Sequence, residues 1–200
     1  MPYHRDPGEG LDYKLQTPPP ITSAIAPLEG QTTENLLDAL REFLEERLKD
    51  YRLPVKQEGW NNQPIYRPVE VQSLYMDDPD EDHERIPYIL LQPLNGKDER
   101  TDNGQMDGRV NVRIVITIFN ENLREGRAQI LHIIQTIRRE LIRAGVVGKS
   151  FDLKWPLEWL IYPDDTGNYH MGEMSTTWGV PTEERIVPEL RNEWQKGLKW

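Results

Sequence analysis

A chain of 200 residues with 36% hydrophobic content can build one domain with a real core, but that apolar share is low enough to predict that part of the chain is extended or held by partners. A formal charge of −10, with 24 basic residues scattered among 34 carboxylates, argues against nucleic-acid binding. The absence of cysteine excludes disulfides, thiolate chemistry and cysteine zinc sites, and no apolar run reaches the roughly 20 residues that span a bilayer.

The first six residues, Met1 to Asp6, show no basic-then-apolar leader pattern, so folding is expected in a cytoplasm. Residues 1–31 read as an extended N-terminal arm. Pro18, Pro19 and Pro20 favour polyproline II, and Gly8, Gly10, Pro27 and Gly30 break any periodicity. Ile21, Ile25 and Leu28 are the arm's candidate anchors on a neighbour. A domain is expected over 32–182. It opens with a helix capped by Thr32 or Thr33, whose stripe is Leu36, Leu37, Leu40, Phe43, Leu44 and Leu48. Residues 55–63 read as a polar loop, and 69–75 as a strand. An acidic loop, Asp77 to Asp82, precedes a second strand at Tyr88 to Leu91, and a long polar excursion through Asn95-Gly96 and Asp107-Gly108 leads to the third.

That third strand, Val110 to Phe119, sets Val110, Val112, Ile114, Ile116 and Ile118 on one face. Val115 and Phe119 add bulk to the other, so both faces are expected to be covered. Asn120 or Asn122 starts a second helix with Ile130, Leu131, Ile134, Ile137 and Leu141 as its stripe, widened by Ile133 and Ile142, and Gly145 stops it. Two strands follow near 157–162 and 170–180, joined by a hairpin-like turn. In the last, His170, Gly172, Met174, Thr176, Trp178 and Val180 share a face. The expected fold is α+β: a mixed, mostly antiparallel sheet of four to five strands with both helices on one face. Residues 183–200 form a C-terminal tail.

Catalytic patterns are missing. No P-loop, GxGxxG, GxSxG or HExxH sequence occurs, and Ser175 lies mid-strand. Both registers of 98–108 as an EF-hand fail, because Val110 or Ile114 falls where a bidentate carboxylate belongs. His83 with Asp77, Asp78, Asp80, Glu81 and Asp82 could offer oxygens to a cation, as a metal-dependent hydrolase would need, but a solvated, self-repelling loop accounts for them more simply. His132 reads as a half-exposed helix residue and His170 as a surface residue. No catalytic, cofactor or metal residue is assigned. Trp155, Trp159 and Trp178 are expected in the core or on the sheet. Trp60, Trp194 and Trp200 lie in polar surroundings and are either partner contacts or stray surface residues.

Several segments in order resemble the tail terminator (tail completion) proteins of long-tailed bacteriophages. They are Leu36 to Leu40, Pro87 to Leu90, Val112 to Ile116, Asn120 to Asn122 with Glu125-Gly126, Ile134 to Arg139, Phe151 to Leu153, Pro156-Leu157-Glu158-Trp159, and Gly172-Glu173-Met174-Ser175-Thr176-Thr177-Trp178. The match covers roughly 33–182, and 112–178 is its specific part. The resemblance implies a virion subunit, made in the host cytoplasm, that forms a hexameric ring on the tail tube and joins it to the head-side connector. It implies no cofactor, no catalysis and no membrane, with DNA passing the lumen unbound. The motif marks a fold and brings no active-site residues. The 1–31 and 183–200 extensions depart from the short family pattern, which leaves a head-closure or minor capsid protein as an alternative, beside a monomeric protein-binding adaptor outside phages.

Overall fold

The computed structural model describes residues 32–58, 64–74, 86–163 and 167–181. Thr32 caps α1 (Thr33–Leu48): its hydroxyl accepts from the Asn35 N–H, and the Asn35 side chain accepts from the Thr32 N–H. Leu36, Leu37, Leu40, Leu44 and Leu48 are buried at helical spacing. Asn122 caps α2 (Leu123–Ala144) by accepting from Arg124 and Glu125. Gly145 closes it at φ 65°, returning its N–H to the Leu141 carbonyl. On α2, Ile130, Ile133, Ile134, Ile137 and Leu141 are buried, whereas Leu131 and Ile142 are exposed and lie outside the stripe expected of them.

The strands are β1 (Arg52–Glu58), β2 (Pro64–Pro68), β3 (Glu70–Ser73), β4 (Tyr88–Arg100), β5 (Met106–Phe119), β6 (Val146–Val147), β7 (Phe151–Ile161) and β8 (Tyr169–Val180). β1 and β2 form a separate antiparallel pair, and the main sheet runs β3-β4-β5-β8-β7-β6. β3 is parallel to β4, and every other pairing is antiparallel. The architecture is the expected α+β sandwich with both helices on one face, widened to six strands.

The strand boundaries differ from the sequence reading at three places. The 55–63 stretch contributes to β1, which with β2 flanks 59–63. The polar excursion is instead a hairpin in which β4 and β5 stay paired from Tyr88↔Thr117 out to Arg100↔Met106. It turns at Thr101–Gln105, where the Thr101 N–H donates to the Gln105 carbonyl at 2.8 Å and Gly104 takes φ 79°. β7 begins at Phe151, and its register slips between Lys154 and Leu157, where Pro156 has no N–H for the ladder.

The core lies between helices and sheet. Leu36, Leu40, Ile114, Ile116, Ile134, Ile137, Met174 and Trp178 are all buried in one cluster. The opposite face holds a second cluster, Ile86, Tyr88, Leu90, Val115 and Phe119, with the Tyr169 ring edge-on to Phe119 at 5.5 Å. Both faces of β5 are thus covered at this end, as its sequence predicts.

Candidate assembly surface

The Gly172 to Trp178 motif is occupied by packing. A Cβ on Gly172 would stand 2.7 Å from Ile130 Cγ2 and 3.0 Å from Ile134 Cδ1, so glycine lets α2 approach the sheet there. The Thr176 hydroxyl donates to the Val112 carbonyl at 2.9 Å and accepts from Trp178 Nε1 at 2.9 Å, which satisfies both buried polar groups. Trp178 itself is fully buried. One polar row, Glu173, Ser175 and Thr177, points away from the helices.

His170 is a correction. It is 2% exposed rather than on the surface, and its Nε2 donates to the Asn120 carbonyl at 3.0 Å. Gly126 makes the room: a Cβ there would lie 2.1 Å from the imidazole. Asn120 is also tied to Asn122, Gln129 and Asn168. The start of α2 and the start of β8 are therefore clamped through a histidine that a one-dimensional reading places beside a turn. The spacing of Asn120, Glu125-Gly126 and His170 contains the signal, but their contact exists only after β5 and β8 pair.

On the sheet's outer face, Arg113 from β5 meets Glu173 from β8, with Nε donating to the carboxylate at 2.6 Å. The Tyr162 hydroxyl donates to the same carboxylate oxygen at 2.7 Å and accepts from Arg113 at 2.9 Å. Burial raises the cost of charging Glu173, but the Tyr162 hydroxyl and Arg113 outweigh it and hold its pKa below the ordinary carboxylate value. Glu173 in turn raises the pKa of Arg113. Further along the face, Asn95 bonds Asn111, Thr177 bonds Asn111, Arg109 pairs with Asp107, and Lys154 with Asp152. The cations of this wall each lie against a carboxylate.

Three exposed large apolar side chains lie on β7. Trp155 is 65% exposed, Leu160 48% and Trp159 45%. Of the three domain tryptophans, only Trp178 belongs to the core. β4 carries Leu94 at 57%. A groove of about 320 Å³ between β1 and α2 is lined by Tyr51, Leu53, Glu125, Ala128, Gln129, His132 and Ile133. His132 is exposed at its rim with its ring 5.7 Å from that of Tyr51. Among the described residues no His, Asp and Glu cluster could hold a metal ion, and no helix is long and apolar enough to cross a membrane.

The partner contacts expected at Ile21, Ile25, Leu28, Trp60, Trp194 and Trp200 lie outside the described residues, as do the acidic loop and His83. What the structure brings together instead is the apolar rim of β7 and the paired-charge face beside it.

No family model matches this chain, and no curated protein matches it. Among solved structures it is similar to a chain from the virion of a native gene transfer agent (GTA) particle, at a TM-score of 0.38 and 13% identity, over 55% of this chain and 77% of that one.

Proposed function

We propose that this chain is a structural virion subunit of a long-tailed phage, set in a hexameric ring that caps the tail tube and joins it to the head-side connector. One observation carries the reading. The segments on which the sequence resemblance rests make a single packed unit: β5, β8 and β7 are neighbours in the sheet, α2 lies across them, and Gly172, Thr176 and Trp178 are buried between them. A motif spent on packing suits a fold marker in an assembly protein and supplies nothing to a reaction. On this reading the chain carries no cofactor and performs no catalysis.

Two further features support it. The apolar rim on β7 is surface that a neighbour would bury. The outer-face cations are neutralised by adjacent carboxylates, and the chain as a whole is at −10, so passing DNA meets little that would hold it.

A reconstruction of the particle tests the proposal. Six copies at the junction of tube and connector are expected. A single copy there, or this chain outside the neck, overturns it. A position on the head side of the joint would make it a head-closure protein instead.

A further inference from the structure

The two sides of α2 meet different surroundings. On one side Thr136 bonds the Tyr51 hydroxyl at 3.1 Å and Glu140 faces Arg47 of α1. About half a turn round the helix, Leu131, Arg138 and Ile142 recur at helical spacing and are all exposed. The ends of α2 are tied to β7. The Arg127 guanidinium donates to the Pro163 carbonyl just past that strand, and the Leu153 N–H near its start donates to the Gly145 carbonyl at 2.8 Å. Helix and strand therefore lie alongside each other and run in opposite directions.

β7 presents a matching row. Leu157, Trp159 and Ile161 stand opposite Thr176, Met174 and Gly172 of β8, so they share the helix side of the sheet, where Gly172 meets Ile130 and Ile134. Yet Trp159 is exposed, and Leu157 and Ile161 are only half-buried. At about 1.5 Å per residue the helix rises about 27 Å from Arg127 to Gly145, and at about 3.3 Å per residue the strand covers about 33 Å from Leu153 to Pro163. Trp159, about 13 Å back from Pro163, falls level with the middle of the helix. Leu131, Trp159 and Ile142 thus form one apolar flank with Arg138 among them, and Arg138 makes no ion pair among the described residues.

We propose that this flank is the seat of the chain's own C-terminal segment, 183–200, laid along it as a helix. Place supports it. β8 reaches its end with Gly179 opposite Asp152, so the segment sets out beside the start of β7, at the Ile142 end of the flank. Length supports it as well. Ile142 to Leu131 is about 17 Å along α2, and a helix from Ile186 to Trp194 covers about 12 Å of that, with the residues before Ile186 as the link. Pattern agrees. Ile186, Leu190 and Trp194 are four residues apart and make one apolar row on a helix, with Pro188 suited to its first turn and Gly197 to its end. Glu189 and Glu193 sit beside that row, and α2 offers them Arg138. Leu160 faces the other way, opposite Glu173, and is no part of this seat, so the proposal does not rest on the ring reading.

The chain has no cysteine, so pairs can be introduced cleanly. Ile142→Cys with Ile186→Cys, and Leu131→Cys with Trp194→Cys, are oxidised in the full-length protein. A disulfide forms only where Cα atoms come within about 7 Å. The expected result is a link inside one chain for both pairs, read as thiols lost from a protein whose covalent size is unchanged, and none for the crossed pair Leu131→Cys with Ile186→Cys. Linked dimers would give the flank to another copy's segment and overturn the proposal, as would a link in the crossed pair alone or in no pair. A thermal-melting cycle gives a second readout. Leu131→Ser and Trp194→Ser should each lower Tm by about 2–4 °C, and the double variant by little more than either alone, because both remove the same contact. Fully additive losses, or no loss from Trp194→Ser, count against the seat.

Discussion

The two halves of β5 are one strand in two environments. From Val112 to Phe119 every residue but Arg113 is buried, between the helices on one side and the Tyr88, Leu90 and Tyr169 cluster on the other. From Met106 to Asn111 only Gly108 and Val110 are buried, and the strand pairs with the part of β4 from Leu94 to Arg100, which is exposed throughout. The backbone ladder is continuous across both. Side-chain burial, at about 25 cal/mol per Å² of apolar area, is concentrated in the first half. The second half, where Val110 is the one buried hydrophobic side chain of β5, is held mainly by main-chain bonds with a net worth of about 1 kcal/mol each. Stability therefore resides where the sheet meets α2, and the hairpin half is left free to serve as surface.

Substitutions can break or sharpen that contrast. Trp178→Ala in the buried half should cost about 3–5 kcal/mol and Ile116→Ala about 2–5 kcal/mol, read by chemical denaturation, because each side chain is fully enclosed. A loss under about 1 kcal/mol for both, small even for an average point mutation, would show that the two halves do not differ.

Gly126→Ala tests the clamp. In an exposed helix this change gains about 1 kcal/mol, but here the new methyl meets the buried His170 ring, so a net loss of about 1–3 kcal/mol is expected. A gain would mean that His170 moves aside without cost.

Glu173→Gln should have a smaller effect, and one that depends on pH. The folded pKa of Glu173 is depressed, so its contribution is complete above the unfolded carboxylate value and is lost as pH falls through the folded one. Stability at neutral pH should drop by about 1 kcal/mol or less, and the gap to the native protein should shrink in acid. A gap that widens in acid would contradict the assigned role.

Leu94→Ser, in the exposed hairpin, should change monomer stability by less than about 0.5 kcal/mol while weakening self-association. Loss of folding there would show that the hairpin belongs to the core.

Much of the buried half is readable without a structure. The leucines of α1, Ile130, Ile133, Ile134 and Ile137 of α2, the alternation of β5 and β8, Asn122 as a cap and Gly145 as a stop all stand at their expected places. The outer part of β4, Leu94 to Arg100, is not readable, because a strand exposed on both sides has no pattern of its own. The candidate surface was half legible. Trp155 and Trp159 are conspicuous in the sequence, but whether such residues fill a core or line a rim depends on the neighbours of β7, and beyond Leu153 that strand has a described neighbour on one side only.

Period and punctuation, which are local properties, suffice to write the α+β class, both helices and the buried face of the sheet into the chain itself. The burial of His170 against Gly126 and the pairing of Arg113 with Glu173 join residues 44 and 60 positions apart, and the order of the strands depends on such joins. The points at which β3 and β6 end along β4 and β7 are set in the same way, because no local stretch of sequence records where a distant strand will end.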